Sequence, residues 1–184
     1  SYFPEGVFKG SNFHASRMWS TYRFNRYAQW ALGQGVTKND VVALLMENRP
    51  EYVMAWLGLM KIGGIAALIN THLMGGPLGH TVGIANAKHM ILHDRLAPNL
   101  RSVLDTLENK PVLWVTGNEL AKEKATGAED LDAALAAQSD EAIGADSRKH
   151  ITCRDQALYI YTSGTTGMPK AAKISHMRFL HIMM

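Results

Sequence analysis

VVALLMENRPEYVMAWLGLMKIGGIAALIN, residues Val41–Asn70, decides the fold. It opens with VVALLMEN (Val41–Asn48), apolar without alternation, as suits a strand covered on both faces in a parallel sheet. Pro50, close behind Asn48, opens a helix over Pro50–Ile62, because a first turn tolerates proline's fixed φ and missing N–H. Gly63 and Gly64 stop that helix, and IAALIN (Ile65–Asn70) has the length of a second buried strand. Strand, helix and strand in this order make a parallel crossover unit. The 18 residues from Tyr52 to Ile69 carry only Lys61 as a charge, but this punctuation makes them a core helix and a core strand instead of a membrane span.

The same alternation extends in both directions. Upstream, Phe24, Tyr27, Ala28, Ala31 and Leu32 fall at helical spacing, and Gly33 and Gly35 end the stripe. Downstream, Pro77 opens a helix with Leu78, Thr81, Val82 and Ala85 on one face, and His89–Asp94 follows as a strand. A helix carrying Leu96, Leu100, Val103, Leu104 and Leu107 then leads to the strand Pro111–Gly117. Asn118–Gln156 is polar and Ala-rich, with a short helix expected at Leu131–Gln138, and Ala157–Tyr161 is the next strand. The expected class is α/β: a doubly wound, mostly parallel sheet with helices on both faces. The chain divides into a lead-in (1–20), an α/β unit (21–117), a polar connection (118–156), a strand–loop–strand (157–176) and a helix start (177–184).

With 184 residues, 47% hydrophobic, 19% charged and a net charge of +3, disorder, collagen and disulfide scaffolds are excluded. The basic residues are scattered, so nucleic acid is not an expected partner. Cys153 stands alone, which excludes an intrachain disulfide and fits a reducing, cytoplasmic setting; no activating Cys/His signature surrounds it. The chain begins at Ser1 and closes with HMRFLHIMM, inside the first turns of a helix, so a piece of a longer protein is expected.

The chemistry concentrates in YTSGTTGMPK, Tyr161–Lys170. Gly164 and Gly167 free the backbone to turn its N–H groups inward around an anion. Thr162, Ser163, Thr165 and Thr166 supply hydroxyl donors, and Lys170 adds a point charge. The preceding strand sets the loop at the carboxyl edge of the sheet, where open α/β folds bind ligands. The spacing is not that of a Walker A loop, since two residues separate Gly164 from Gly167 and Pro169 precedes Lys170. AAKIS (Ala171–Ser175) reads as a strand, so the loop joins two strands. On composition alone a Ser/Thr/Gly hairpin turn without a ligand stays open beside the phosphate site.

YTSGTTGMPK resembles the phosphate-loop signature of the adenylate-forming (AMP-binding) superfamily, which includes acyl-CoA synthetases, peptide-synthetase adenylation domains and firefly luciferase. Thr21–Leu73 is similar to the early region of that superfamily, and the likeness runs from Thr21 to the C-terminus, weakest across Asn118–Gln156. Asn70, Thr71, Leu73, Leu78 and His80, with Pro169, Lys170, Ala171 and Ala172, look most like the very-long-chain acyl-CoA synthetase or fatty acid transport protein branch.

The resemblance implies ATP-dependent formation of an acyl-adenylate from a long fatty acid, then transfer of the acyl group to coenzyme A. Tyr161, Thr162, Ser163, Gly164, Thr165, Thr166, Gly167 and Lys170 would bind the nucleotide, with Lys170 and Thr166 catalytic, and Mg²⁺ would share the phosphate charge. Their work would be electrostatic, because an ionised carboxylate is already a nucleophile. The superfamily's downstream Tyr-Gly-x-Thr-Glu element, ribose-binding Asp and C-terminal Lys have no counterpart in these residues, so the chain alone is expected to be inactive. An uptake protein at a membrane, an adenylating enzyme for another carboxylic acid and a free-standing nucleotide-binding module are the alternatives. Peripheral membrane contact and self-association are further expectations.

Other candidates stand lower. His89 and His93 flank a buried strand and lack a third ligand for a metal. His176 either borders the pocket or starts a helix. Arg17, Arg23 and Arg26, with Trp19 and Trp30 close by, mark an anionic surface contact or, more simply, a solvated helix face shared with Asn25 and Gln29.

Overall fold

The computed structural model describes residues 12–117, 127–162 and 168–183. The chain runs α1 (Asn12–Gly33), β1 (Val41–Leu45), α2 (Pro50–Lys61), β2 (Ile65–Leu68), α3 (Gly75–Ala85) and β3 (His89–His93). It continues through α4 (Ala97–Leu104), β4 (Val112–Thr116), β5 (Glu129–Asp130), α5 (Leu131–Ala136), β6 (Gln156–Thr162), β7 (Lys170–Ser175) and α6 (His176–Met183). The strands form one sheet in the order β5-β4-β3-β1-β2-β6-β7. All neighbours pair in parallel except β6 and β7, which are antiparallel.

Crossover handedness sorts the helices. A right-handed connection that steps one way across the sheet lies on one face, and a connection stepping the other way lies on the opposite face. The step β1 to β2 therefore puts α2 on one side, while β2 to β3 and β3 to β4 put α3 and α4 on the other. The cores follow suit: Trp30, Leu59, Ile91, Leu131 and Leu158 share one, and Leu78, Met90, Leu92 and Leu100 share the second. Each such large side chain, fully buried, contributes roughly 1.5–3 kcal/mol relative to an exposed one.

The parallel α/β class expected from the strand–helix alternation is thus the observed one. Strand ends are shorter than the apolar runs, because Met46 and Ile69 leave the ladder while staying buried. Three features depart from the sequence expectations. The helix expected around Phe24 begins at Asn12, so the boundary drawn after residue 20 falls inside it. On α1 the buried ring is Trp30, whereas Leu32 is 40% exposed. Asn25 is not part of a solvated face: it is buried, donates to the Asp140 carbonyl and accepts from Lys61 Nζ, tying α1 to α2 and to the polar connection. That connection also supplies β5, which pairs through Glu129 and Asp130 with Trp114 and Val115. A strand of two acidic residues carries no apolar pattern to announce it.

His89 and His93 are the two end residues of β3, as read from the sequence, and both are buried; among the described residues no group of three or more His, Cys, Asp or Glu could hold a metal. Trp114 Nε1 donates to His89 Nδ1 at 3.2 Å, which fixes the proton of the neutral ring on Nε2, facing the Gln34 carbonyl. Trp30 packs edge-on against Trp114 with ring centroids 5.1 Å apart. No helix among the described residues is long and apolar enough to cross a membrane.

Two outcomes follow from this packing. A Cβ on Gly58 would lie 2.7 Å from both the Phe24 carbonyl oxygen and Tyr27 Cβ, whereas one on Gly33 meets nothing within 4 Å. Gly58→Ala is expected to lower stability by about 1–3 kcal/mol in urea denaturation, through overpacking of α1 on α2, with Gly33→Ala as the control. Burial holds the His89 ring below its ordinary 6.5, with Lys88 adding to the effect against the Gln34 hydrogen bond. The unfolded chain therefore takes up this proton first, and the contribution of His89 to stability falls as pH drops below about 6.5. Proton-detected titration should show His89 neutral at a pH where an exposed histidine is already charged; a normal midpoint refutes this.

Candidate functional site

The carboxyl edge of the sheet gathers the ends of β2 and β6 and the start of β7. Leu68 pairs with Ile160, and Ile160 with Ala172, so these three residues form one row across β2, β6 and β7. Two pairs further on, past Tyr161 and Ala171, Thr162 lies opposite Lys170 at the end of the ladder. Thr162 and Lys170 are exposed, and Pro169 between the loop and β7 is buried. Ser163, Gly164, Thr165, Thr166 and Gly167 lie outside the described residues.

Strand alternation separates the predicted residues by face. Tyr159 and Tyr161 pack against the core beneath α3 and α4, whereas Thr162 and Lys170 belong to the face of α2 and α6. The Tyr161 hydroxyl is buried without a hydrogen-bond partner among the described residues, and burial, with Tyr159 beside it, pushes the phenol up to about 12. Its ring serves as a wall behind the hairpin.

The far end of the hairpin is anchored at the amino edge. Asp155 accepts from Lys38 Nζ at 2.8 Å and from the Thr152 N–H at 2.6 Å, and these bonds hold its carboxyl down at about 2. Its carbonyl accepts from the His176 N–H, and Lys38 also donates to the His150 carbonyl. Lys173 Nζ stands 5.6 Å over the Tyr159 ring. His176 is the first residue of α6, with burial lowering its ring pKa against the pull of Asp155. It sits at the amino edge, six strand residues or roughly 20 Å from Lys170, so it does not border the phosphate hairpin. Arg23 and Arg26 are drawn into ion pairs with Glu51 and Asp140.

Sequence reasoning took Asn70 and Thr71, in the turn after β2, only as marks of a family branch and gave them no role. Asn70 Oδ1 accepts from the His72 N–H at 2.9 Å and lies 3.2 Å from His72 Nδ1. The signal that exposes this turn is the register of β2 on β6, which a single sequence does not carry.

A mostly parallel sheet with helices on both faces, closed at one edge by the antiparallel pair β6 and β7, defines the α/β class of the protein. The family model for AMP-binding enzymes matches residues 21–184, and the chain belongs to that family. It is 35% identical over 158 residues to long-chain fatty acid transport protein 1 of Rattus norvegicus, covering 86% of this chain and 24% of that protein. It is 34% identical over 156 residues to a medium/long-chain-fatty-acid–CoA ligase of Mycobacterium tuberculosis, covering 85% and 24%. Among solved structures it is similar to the anthranilate CoA ligase AuaEII in complex with anthranoyl-AMP, with a TM-score of 0.75, 25% identity and 85% and 29% coverage. The chain thus spans about a quarter of the length of these curated relatives.

Tyr161→Phe removes a hydroxyl that has no partner among the described residues, so stability is expected to be unchanged or up to about 1 kcal/mol higher in thermal melts. A clear loss would mean that the hydroxyl is bonded in solution.

Proposed function

We propose that these residues form the opening part of an ATP-dependent acid–CoA ligase acting on long or very long fatty acids. The observation that carries this reading is the Thr162–Lys170 pair at the carboxyl edge, closing a loop whose sequence matches the family's phosphate signature. In the first step a carboxylate oxygen bonds to the α-phosphorus of ATP and pyrophosphate leaves. In the second the thiol of coenzyme A takes the acyl carbon and AMP leaves.

Thr162, Ser163, Gly164, Thr165, Thr166, Gly167 and Lys170 hold the departing β- and γ-phosphates with N–H, hydroxyl and ammonium donors. Their contribution is fixed positive potential at oxygens that gain charge, with no proton transfer required. Tyr161 supports the loop from behind. Among the described residues no group of three or more His, Cys, Asp or Glu could hold Mg²⁺, so no step is assigned through it. Residues 21–184 are the start of the adenylating domain in this reading, and the remaining groups come from a longer polypeptide. The names of the fatty acid transport relatives support a second reading, in which uptake at a membrane surface is driven by trapping the acid as its CoA ester.

Pyrophosphate–ATP exchange by the full-length polypeptide, without coenzyme A, tests the adenylation step. Long fatty acids should drive exchange, and Lys170→Ala should slow it at least tenfold, as expected for loss of a charge-assisted contact worth roughly 1.5–3 kcal/mol. If no acid supports exchange, the ligase reading fails; if uptake into cells persists without exchange, transport is independent of activation.

A further inference from the structure

We infer that Asn70 is a further phosphate-binding residue, held in position by His72 and placed beside the Thr162–Lys170 pair. This inference rests on the adenylating role proposed above. The juxtaposition comes from register and parity. Leu68 of β2, Ile160 of β6 and Ala172 of β7 form one row. Two residues further along each strand direction, towards the carboxyl edge, stand Asn70, Thr162 and Lys170. Because side chains alternate, all three belong to the face of Leu68 and Leu158, beneath α2 and α6, and not to that of Ile69, Tyr159 and Tyr161. β2 itself ends at Leu68, the Ile69 N–H still bonds the Leu44 carbonyl, and Asn70 is the next residue after it, where the turn begins. Strands lie about 4.8 Å apart, which sets the backbones of Asn70 and Lys170 roughly 10 Å from each other with Thr162 between them.

The orientation of the Asn70 amide is settled by chemistry. A backbone N–H can only donate, so the atom 2.9 Å from the His72 nitrogen is the amide oxygen. His72 Nδ1, 3.2 Å from the same oxygen, becomes a second donor to it. Both contacts fall on Oδ1, and Nδ2 keeps two N–H donors with no partner among the described residues. A neutral amide with its donors free, next to a lysine and a threonine hydroxyl in the same row, complements a polyphosphate chain. Thr162 and Lys170 mark one end of that chain and Asn70 extends the donor set towards β2.

The test is the steady-state dependence of pyrophosphate–ATP exchange on ATP and on acid, in the full-length polypeptide, with Asn70→Asp and Lys170→Ala in parallel. Asn70→Asp keeps the acceptor for both His72 contacts and replaces the two donors with a charged oxygen that repels phosphate. It should raise KM for ATP at least tenfold while KM for the acid and the melting temperature stay unchanged. If the aspartate variant melts lower, Asn70→Ser takes its place, and a smaller rise confined to KM for ATP is required. An unchanged KM for ATP in a folded Asn70 variant, with Lys170→Ala slow, overturns the inference and leaves the ligase reading standing. Exchange by Lys170→Ala at the rate of the unaltered protein removes the phosphate role of the Thr162–Lys170 pair and this inference with it, whereas exchange with no acid at all removes the ligase reading. An equal rise in both KM values shows a structural role for Asn70 and also overturns the inference.

Discussion

The parallel pairing of β2 with β6 is the contact on which the arrangement depends. Three residues of each strand, Ala66–Leu68 and Leu158–Ile160, join segments that lie far apart in the chain. Everything between them, α3, β3, α4, β4, β5 and α5, must fold out of the way on one side of β1 before β6 can dock on the other. The cost is the entropy of closing a long loop, offset by burial of Ala66, Leu158 and Ile174 in a core that also holds Trp30 and Leu59. The hairpin of β6 and β7 owes its position at the carboxyl edge to this one ladder.

Most of the scaffold was legible because a parallel sheet leaves a strong trace. Strands such as VVALL have to be apolar on both faces, and Pro50, Gly63 and Gly64 punctuate the helices between them. What escaped has a physical reason in each case. β5 is two acidic residues held by backbone pairing alone. Asn25 looks solvated from its neighbours, and only the distant Asp140 carbonyl and the Lys61 ammonium make its burial tolerable. Trp30 replaces Leu32 in the core because its ring meets Trp114 of β4 on the same face of the sheet, a partner no helical wheel contains.

The candidate site was legible to a different degree. A loop dense in glycine and hydroxyl residues suits either a phosphate or a plain turn, and it was the match of the whole string to a family signature that separated the two. Its neighbours do not announce their role. The end of β2 and the β6–β7 pair come together only through strand order and register, and Tyr161 is turned away from Thr162 by the alternation of a strand. His176 is close to Lys170 in sequence yet at the opposite end of the hairpin, because an antiparallel strand carries the chain back across the sheet.

Asp155 has a mechanical consequence. Its carboxylate clamps Lys38 and its carbonyl clamps the first N–H of α6, so the turn before β1 and the exit from β7 share one fastening. This fastening ties the start of α6 to the turn before β1 at the amino edge, at the far end of the hairpin from the pair of Thr162 and Lys170.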